Sequence, residues 1–255
     1  MMNFNIVKTL EKLITCKGGW HRALNALLLV FFCSLSASAT NLRIVTEDSY
    51  PVQYLENSVI KGKNAETVQA MLTGANLAAE IEVLPWARAY NIALNSPNVM
   101  IFSIARTPAR EHEFIWGRPI TDLSYSLYTL KENQQAFSSL SQQELKALNI
   151  AAIRNSATEQ HLTKYGYENL QLVNNPVQMV NMLNKKRVDA IPANSTSLAA
   201  FCQKMSLNCD RLVEFHPLPV PSTQLYFAFS KGTDPHLISR LLQAYDESPE
   251  IDKLE

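Results

Sequence analysis

The sequence predicts an α/β protein of two lobes, and three observations predict it. Strand-like apolar runs alternate with amphipathic helical stretches over most of the 255 residues. Two extended, β-rich runs at 124–130 and 223–230 interrupt that alternation, and an apolar leader marks a chain sent for export. Alternating strands and helices imply right-handed crossovers and parallel pairing, so each lobe is expected to hold a mixed, mostly parallel sheet flanked by helices. The two interrupting runs bracket the second half and read as paired connectors. Lobe 1 then takes 40–128 plus 222–255, and lobe 2 takes 129–221.

The elements follow in order. Residues 42–46 are an apolar strand, closed by the turn-forming Glu47-Asp48-Ser49-Tyr50-Pro51. Beyond Gly62, Ala65, Val68, Met71, Leu72 and Ala75 recur at helical spacing, with Gly74 where a C-cap would lie. Residues 80–84 form a second strand. Pro85 then opens a helix that aligns Trp86, Tyr90, Ala93 and Leu94 on one face before Pro97 stops it, and 98–103 is a third strand. In the second half, Ser141 with Glu144 and Ser156 with Glu159 have the spacing of capping boxes, the latter opening a helix closed by Gly166. Strands at 149–153, 170–173 and 188–191 alternate with these and with a helix begun by Asn175-Pro176. A last helix over 235–245 returns to the first lobe.

Basic Lys8, Lys12, Lys17 and Arg22 precede the nearly uniform apolar 23–35, and Ala37-Ser38-Ala39 offers small residues for cleavage. Residues 1–39 therefore read as a secretory signal peptide, too short in its apolar part for the ~18 residues of a membrane-spanning helix, and a soluble exported protein starting near Thr40 is expected. Removing Lys8, Lys12, Lys17, Arg22 and Glu11 from a full-chain count of 23 basic and 23 acidic residues leaves 19 against 22. A mildly acidic chain without a basic block argues against nucleic acid or anionic membrane as a partner. Cys202 and Cys209, an even pair in an exported chain, read as a local disulfide in preference to free thiols. Neither has a CxxC partner and the histidines are scattered, so no metal is expected.

The chemistry concentrates at strand ends, where ligands sit in open α/β sheets. Arg106 and Arg110, flanking Thr107, combine planar guanidiniums with a hydroxyl and suit a carboxylate. The alternative is surface pairing of either arginine with Glu111 or Glu113. Ser156 is an N-cap whose helix N-terminus also favours anions. Tyr50 sits in a polar turn where it can lie flat on a ligand, whereas Trp86 and Trp116 are core aromatics by default. His161 reads as a surface residue. The chain contains no G-x-S-x-G, no H-E-x-x-H and no glycine-rich phosphate loop. An anion-gripping crevice with that sequence background reads as binding, with no enzyme activity and no cofactor expected.

Five runs in register, L-R-I-V-T-E-D-S-Y-P, S-I-A-R-T-P-A-R, I-R-N-S-A-T-E-Q, K-K-R-V-D-A-I and Y-F-A-F-S-K-G, carry a resemblance over 42–245 to the bacterial periplasmic solute-binding proteins of family 3, the polar-amino-acid-binding group that serves ABC importers. The resemblance implies a type II periplasmic binding fold in which two lobes joined by two hinge crossovers close over a solute. It assigns a ligand carboxylate to Arg110, with Ser103 and Tyr50 beside it, Arg106 as an addition, and the second-lobe hydroxyl at Ser156. The chain departs from the pattern at Ala105 and Asn155, where serine and glycine are usual, and at Asn194, where amino-acid binders place the aspartate that holds the ammonium. Either Glu47 or Asp48 then substitutes, or the solute lacks the amine. The expected ligand contacts are Glu47, Tyr50, Trp86, Ser103, Arg106, Arg110, Ser156 and Asn194. The implied protein is a monomer that captures a small anionic or zwitterionic solute and presents it to a membrane permease, or alternatively to a membrane sensor. The same fold is similar to that of periplasmic cyclohexadienyl dehydratases, which keeps a dehydratase as the alternative, with Glu47 as its candidate proton donor.

Overall fold

In a computed structural model, residues 42–249 are described apart from 123, 195, 196 and 223, together with residue 251. The leader expected over 1–39 and its cleavage point lie outside the described residues. Among the described residues no helix is long and apolar enough to cross a membrane.

The first lobe is built on a five-stranded sheet in the order β4-β1-β5-β12-β6. Its strands are β1 (Arg43–Thr46), β4 (Ile81–Val83), β5 (Val99–Ala105), β6 (Phe114–Asp122) and β12 (Gln224–Ser230). β1 runs parallel to both β4 and β5, whereas β12 is antiparallel to β5 and β6. All seven residues of β5 are buried because both faces of the sheet are covered. On one face lie α1 (Lys63–Gly74) and α8 (Pro235–Glu247), packing Val68, Met71, Leu241 and Tyr245 over Ile44, Met100, Phe102, Phe227 and Phe229. On the other lies α2 (Trp86–Asn95), whose Trp86, Ala89, Tyr90 and Ala93 cover Val45, Ile101, Ile104 and Phe114. That spacing is one face of a 3.6-residue period. Gly74 is the last residue of α1 and not its cap; a Cβ there would lie 3.2 Å from the Ala244 Cβ of α8, so its smallness serves helix packing.

The second lobe holds the antiparallel sheet β10-β7-β11, from β10 (Ile191–Asn194), β7 (Tyr125–Leu130) and β11 (Leu212–Leu218), beside the parallel pair β8 (Ile150–Ile153) and β9 (Leu170–Val173). A parallel bridge from Ile150 to Ala190 links the two sets. Around them pack α3 (Gln134–Ser138), α4 (Gln142–Ala147), α5 (Ala157–Lys164), α6 (Pro176–Asn184) and α7 (Leu198–Lys204). The box at Ser141 and Glu144 is complete, whereas at Ser156 only the serine half is present.

Strand pairing corrects the expected boundary. β7 pairs along its length with β10 and β11, so the chain belongs to the second lobe from Tyr125 and not only after 128. The return to the first lobe lies between β11 and β12. The parallel content is also lower than alternation predicts: each strand beside a crossover enters its sheet antiparallel, so β12, β7 and β11 pair antiparallel throughout. The strand expected over 188–191 begins only at Ile191, with Ala190 making the single bridge. The sequence reading also passes over the hairpin of β2 (Tyr54–Glu56) and β3 (Val59–Lys61), too short to show a period.

A close approach between β6 and β12 yields a test of this packing. A Cβ on Gly117 would lie 2.2 Å from the Phe227 ring, which is fully buried. Gly117→Ala should therefore destabilise the protein by about 1–3 kcal/mol, read as a lowered denaturant midpoint; an unchanged midpoint would mean that the two strands separate freely there.

Candidate binding site

The carboxyl ends of β1, β5, β8 and β10 converge on a cavity of about 140 Å³ between the lobes. Seven of the residues expected at the site line it: Glu47, Tyr50, Trp86, Ser103 and Arg110 from the first lobe, Ser156 and Asn194 from the second. Arg106 does not, and its expected place is corrected. It points to a separate outer groove, where its Nε and Nη2 donate to both oxygens of Glu111 at 2.8 and 2.5 Å and its guanidinium lies over the rings of Trp116 and Tyr226. That is the surface-pairing alternative for this arginine. The arginines differ because the turn after β5, closed by the Arg110 amide donating to the Thr107 carbonyl at 2.9 Å, sends the later side chain back under the strand end.

Arg110 is 1% exposed. Its Nη1 donates to the Ala105 carbonyl at 3.1 Å and its Nη2 to the Asn155 carbonyl at 2.7 Å, the latter from one lobe to the other. The guanidinium carbon stands 4.9 Å from the Tyr90 ring centre and 5.4 Å from that of Trp86, which gives it two aromatic faces. Nε has no hydrogen-bond partner among the described residues. Burial lowers the pKa of the group, opposed by the nearby phenols of Tyr90 and Tyr125 and the carboxyl of Glu47. The Trp86 Nε1 also donates to the Asn155 carbonyl, at 2.9 Å. Asn155 itself has a φ of 59°, in the left-handed region that Asn tolerates better than most residues.

Ser103 occupies a β-bulge. Ile104 and Phe102 face Tyr226 and Phe227 in succession on β12, so Ser103 between them has no cross-strand partner and takes a φ of 60°. Its hydroxyl donates to Gln53 Oε1 at 2.7 Å and accepts from Asn64 Nδ2 at 2.9 Å, while Asn64 Oδ1 accepts from the Thr121 hydroxyl. Gln53 and Asn64 are fully buried, and the sequence reading missed both. Asn64 sits at the second position of α1 and Gln53 in the turn after β1, where polar residues look solvent-facing until the lobe is assembled.

Glu47 follows β1 and is half-buried at the cavity wall. Burial pushes its carboxyl up to about 7, Arg110 opposing and Asp48 adding to the shift. Burial also raises Tyr125, the first residue of β7 and another missed cavity residue, which Glu47 raises further. Its role becomes visible only once the crossover is known to end at 124. Tyr50 packs edge-on against Tyr54 at 4.7 Å between ring centres. Lys204 of α7 lies 5.7 and 5.3 Å from those two rings and bonds Glu56 of β2 at 2.6 Å, joining the lobes near Tyr50.

The second-lobe wall is largely apolar, with Ile153 of β8, Met179 and Val180 of α6, Ile191 of β10, and Leu198 and Phe201 of α7, and its polar members carry no charge. Val180 lies on the buried face of α6 as well as at the cavity. Ser156 caps α5, accepting from the Glu159 amide at 3.1 Å, and its hydroxyl lies 2.9 Å from that of Thr158. Cys202 and Cys209 form the expected disulfide, with Cα atoms 6.0 Å apart, bracing the end of α7. His161, expected at the surface, is buried on the inner face of α5 with its ring 4.4 Å from that of Tyr165, because that face packs on the lobe core. Among the described residues no group of three His, Cys, Asp or Glu side chains is placed to hold a metal.

By sequence, the chain matches no family model and no curated protein. By structure it is similar to a histidine kinase sensor domain with similarity to periplasmic binding proteins, at a TM-score of 0.70 and 15% identity over 81% of this chain and 89% of that one. It is likewise similar to an amino acid ABC transporter substrate-binding protein from Streptococcus pneumoniae bound to L-arginine, at 0.70 and 17% over 85% and 93%. A third is an ancestral amino acid-binding protein described as a precursor of cyclohexadienyl dehydratase, at 0.65 and 17% over 82% and 88%. The chain has the two-lobed fold of the type II periplasmic binding proteins.

The raised carboxyl of Glu47 makes stability depend on pH. The folded form holds its proton up to about 7 against an ordinary value of 4.5, so between those values the native state binds more protons than the unfolded chain. Stability from this group is then greatest at acid pH, falls as pH rises through that window and levels off above it. Glu47→Gln should remove most of the fall and raise stability near pH 8 by about 1–3 kcal/mol, measured by denaturant unfolding at about pH 5 and about pH 8. Identical profiles for the two proteins would mean that Glu47 ionises as an exposed carboxylate does.

Proposed function

We propose that this protein binds a small carboxylate-bearing solute between its lobes, in the manner of the family 3 solute-binding proteins, and presents it to a membrane partner. The observation that carries the reading is Arg110, a fully buried cation that donates to two neutral backbone carbonyls and forms no ion pair among the described residues. A buried charge is costly unless it is paired, and a planar carboxylate is the partner that a guanidinium accommodates best. Glu47, with its carboxyl up near 7, is a poor resident counter-ion. Contacts from both lobes favour closure because only the closed state makes both sets. The leader in the sequence supports action in the periplasm. Structural neighbours that include an ABC substrate-binding protein and a kinase sensor domain support an importer or a sensor as the partner class. Arg110→Met should leave the protein folded, within about 2 kcal/mol of the parent, since an apolar side chain of similar size avoids the desolvation cost. It should abolish the thermal stabilisation by carboxylate solutes, about 3 kcal/mol at hundredfold saturation in the parent. Retained stabilisation in the variant would remove Arg110 from the site.

One observation favours a second reading, elimination of water from a trapped acid. Glu47 is a carboxylic acid protonated near neutrality that faces the cavity beside Arg110, as a general acid requires. Incubation with prephenate should yield phenylpyruvate with release of water and carbon dioxide if the protein is a dehydratase, and Glu47→Gln should then lose the activity. Unchanged prephenate would reject the enzyme and leave binding.

A further inference from the structure

The two walls of the cavity differ in kind. Its charged lining residues, Glu47, Asp48 and Arg110, all belong to the first lobe. Among the described residues the second lobe contributes no charged side chain to it. The hydroxyls of Ser156 and Thr158, two of the polar groups on that wall, are bonded to each other, and Ser156 also caps α5. Asn194, Ser197 and the Tyr125 phenol add uncharged polar groups, and the rest of the surface is aliphatic and aromatic, supplied by four separate elements, one of them tied down by the Cys202–Cys209 disulfide. A solute anchored by its carboxylate at Arg110 therefore points its other end at a wall with no counter-charge. A charged tail would lose its hydration there without replacement, whereas an apolar tail would replace water by van der Waals contact. The cavity, about 140 Å³, is comparable with the ~150 Å³ apolar cavity that accepts benzene, which limits the tail to a short branched chain or one ring.

Building on the binding reading, we propose that the solute is a compact amphipathic monocarboxylate: its carboxylate lies at Arg110 and its other end, uncharged and apolar, lies against Met179, Val180, Ile191, Leu198 and Phe201. The wall acts as the selectivity element. It admits solutes by the absence of charge at the far end, and it rejects the basic and acidic side chains that the first lobe alone would tolerate.

Isothermal titration of the mature protein with 4-methylpentanoate, L-leucine, L-arginine and L-glutamate tests this, each repeated on Arg110→Met and on Phe201→Ala. The expected result is that at least one of the two apolar-tailed probes binds ten or more times more tightly than L-arginine and L-glutamate. Its affinity should fall about tenfold in Phe201→Ala and vanish in Arg110→Met. Arginine or glutamate binding equally well or better, still dependent on Arg110, would overturn the apolar-tail assignment while leaving carboxylate binding intact. If no probe binds, or binding is indifferent to Arg110, the binding reading itself falls and this proposal falls with it.

Discussion

A guanidinium held out of water at the meeting of two lobes is the constraint around which the cleft is organised. Removing an arginine from solvent costs several kcal/mol, and in the cleft the cost is offset piecemeal: by two backbone carbonyls, by the faces of Trp86 and Tyr90, and by the fields of nearby phenols. Each of those groups must be placed accurately to serve. α2 holds both aromatic rings on its buried face, so its amphipathic pattern serves the core and the cation together. The Asn155 carbonyl arrives from the other lobe only because that residue takes a left-handed conformation at the end of β8.

The same economy of placement explains the bulge at Ser103. A strand buried on both faces offers its neighbours no polar group, yet β5 turns one hydroxyl toward the cavity by inserting an unpaired residue into its ladder. The hydroxyl is then fixed by Gln53 and Asn64 behind it, a buried network whose members come from three segments of the first lobe. Backbone strain at Ser103 and at Asn155 thus falls on opposite sides of one cavity, where a packed scaffold can over-determine an unfavourable φ.

Much of this was legible in the residues. Period and capping located β1, β9, α2, α6 and α8 closely, because each has either an uninterrupted apolar stripe or a strong start signal such as Asn175-Pro176 and Asp234-Pro235. The strand ends and the family resemblance together pointed to seven of the cavity residues. What stayed hidden depends on tertiary placement. β6 and β11 carry Pro119 and Pro217 and lack clean alternation, so neither reads as a strand until its partner is known. Arg106 and Arg110 are indistinguishable as residue types, and the turn between them, with a glutamate in reach of only one, sends them to opposite sides. Tyr125 and the apolar wall become cavity residues only when the lobes are brought together, and Gln53 finds its place behind Ser103 only when the first lobe is assembled.

The Asn155 carbonyl has one more consequence. By accepting from both Trp86 and Arg110 it behaves as a tethered competitor, an internal surrogate for an incoming oxygen. On the proposed binding reading, a carboxylate arriving at Arg110 would meet a guanidinium already shared with this acceptor, so the affinity observed would be a net of the two.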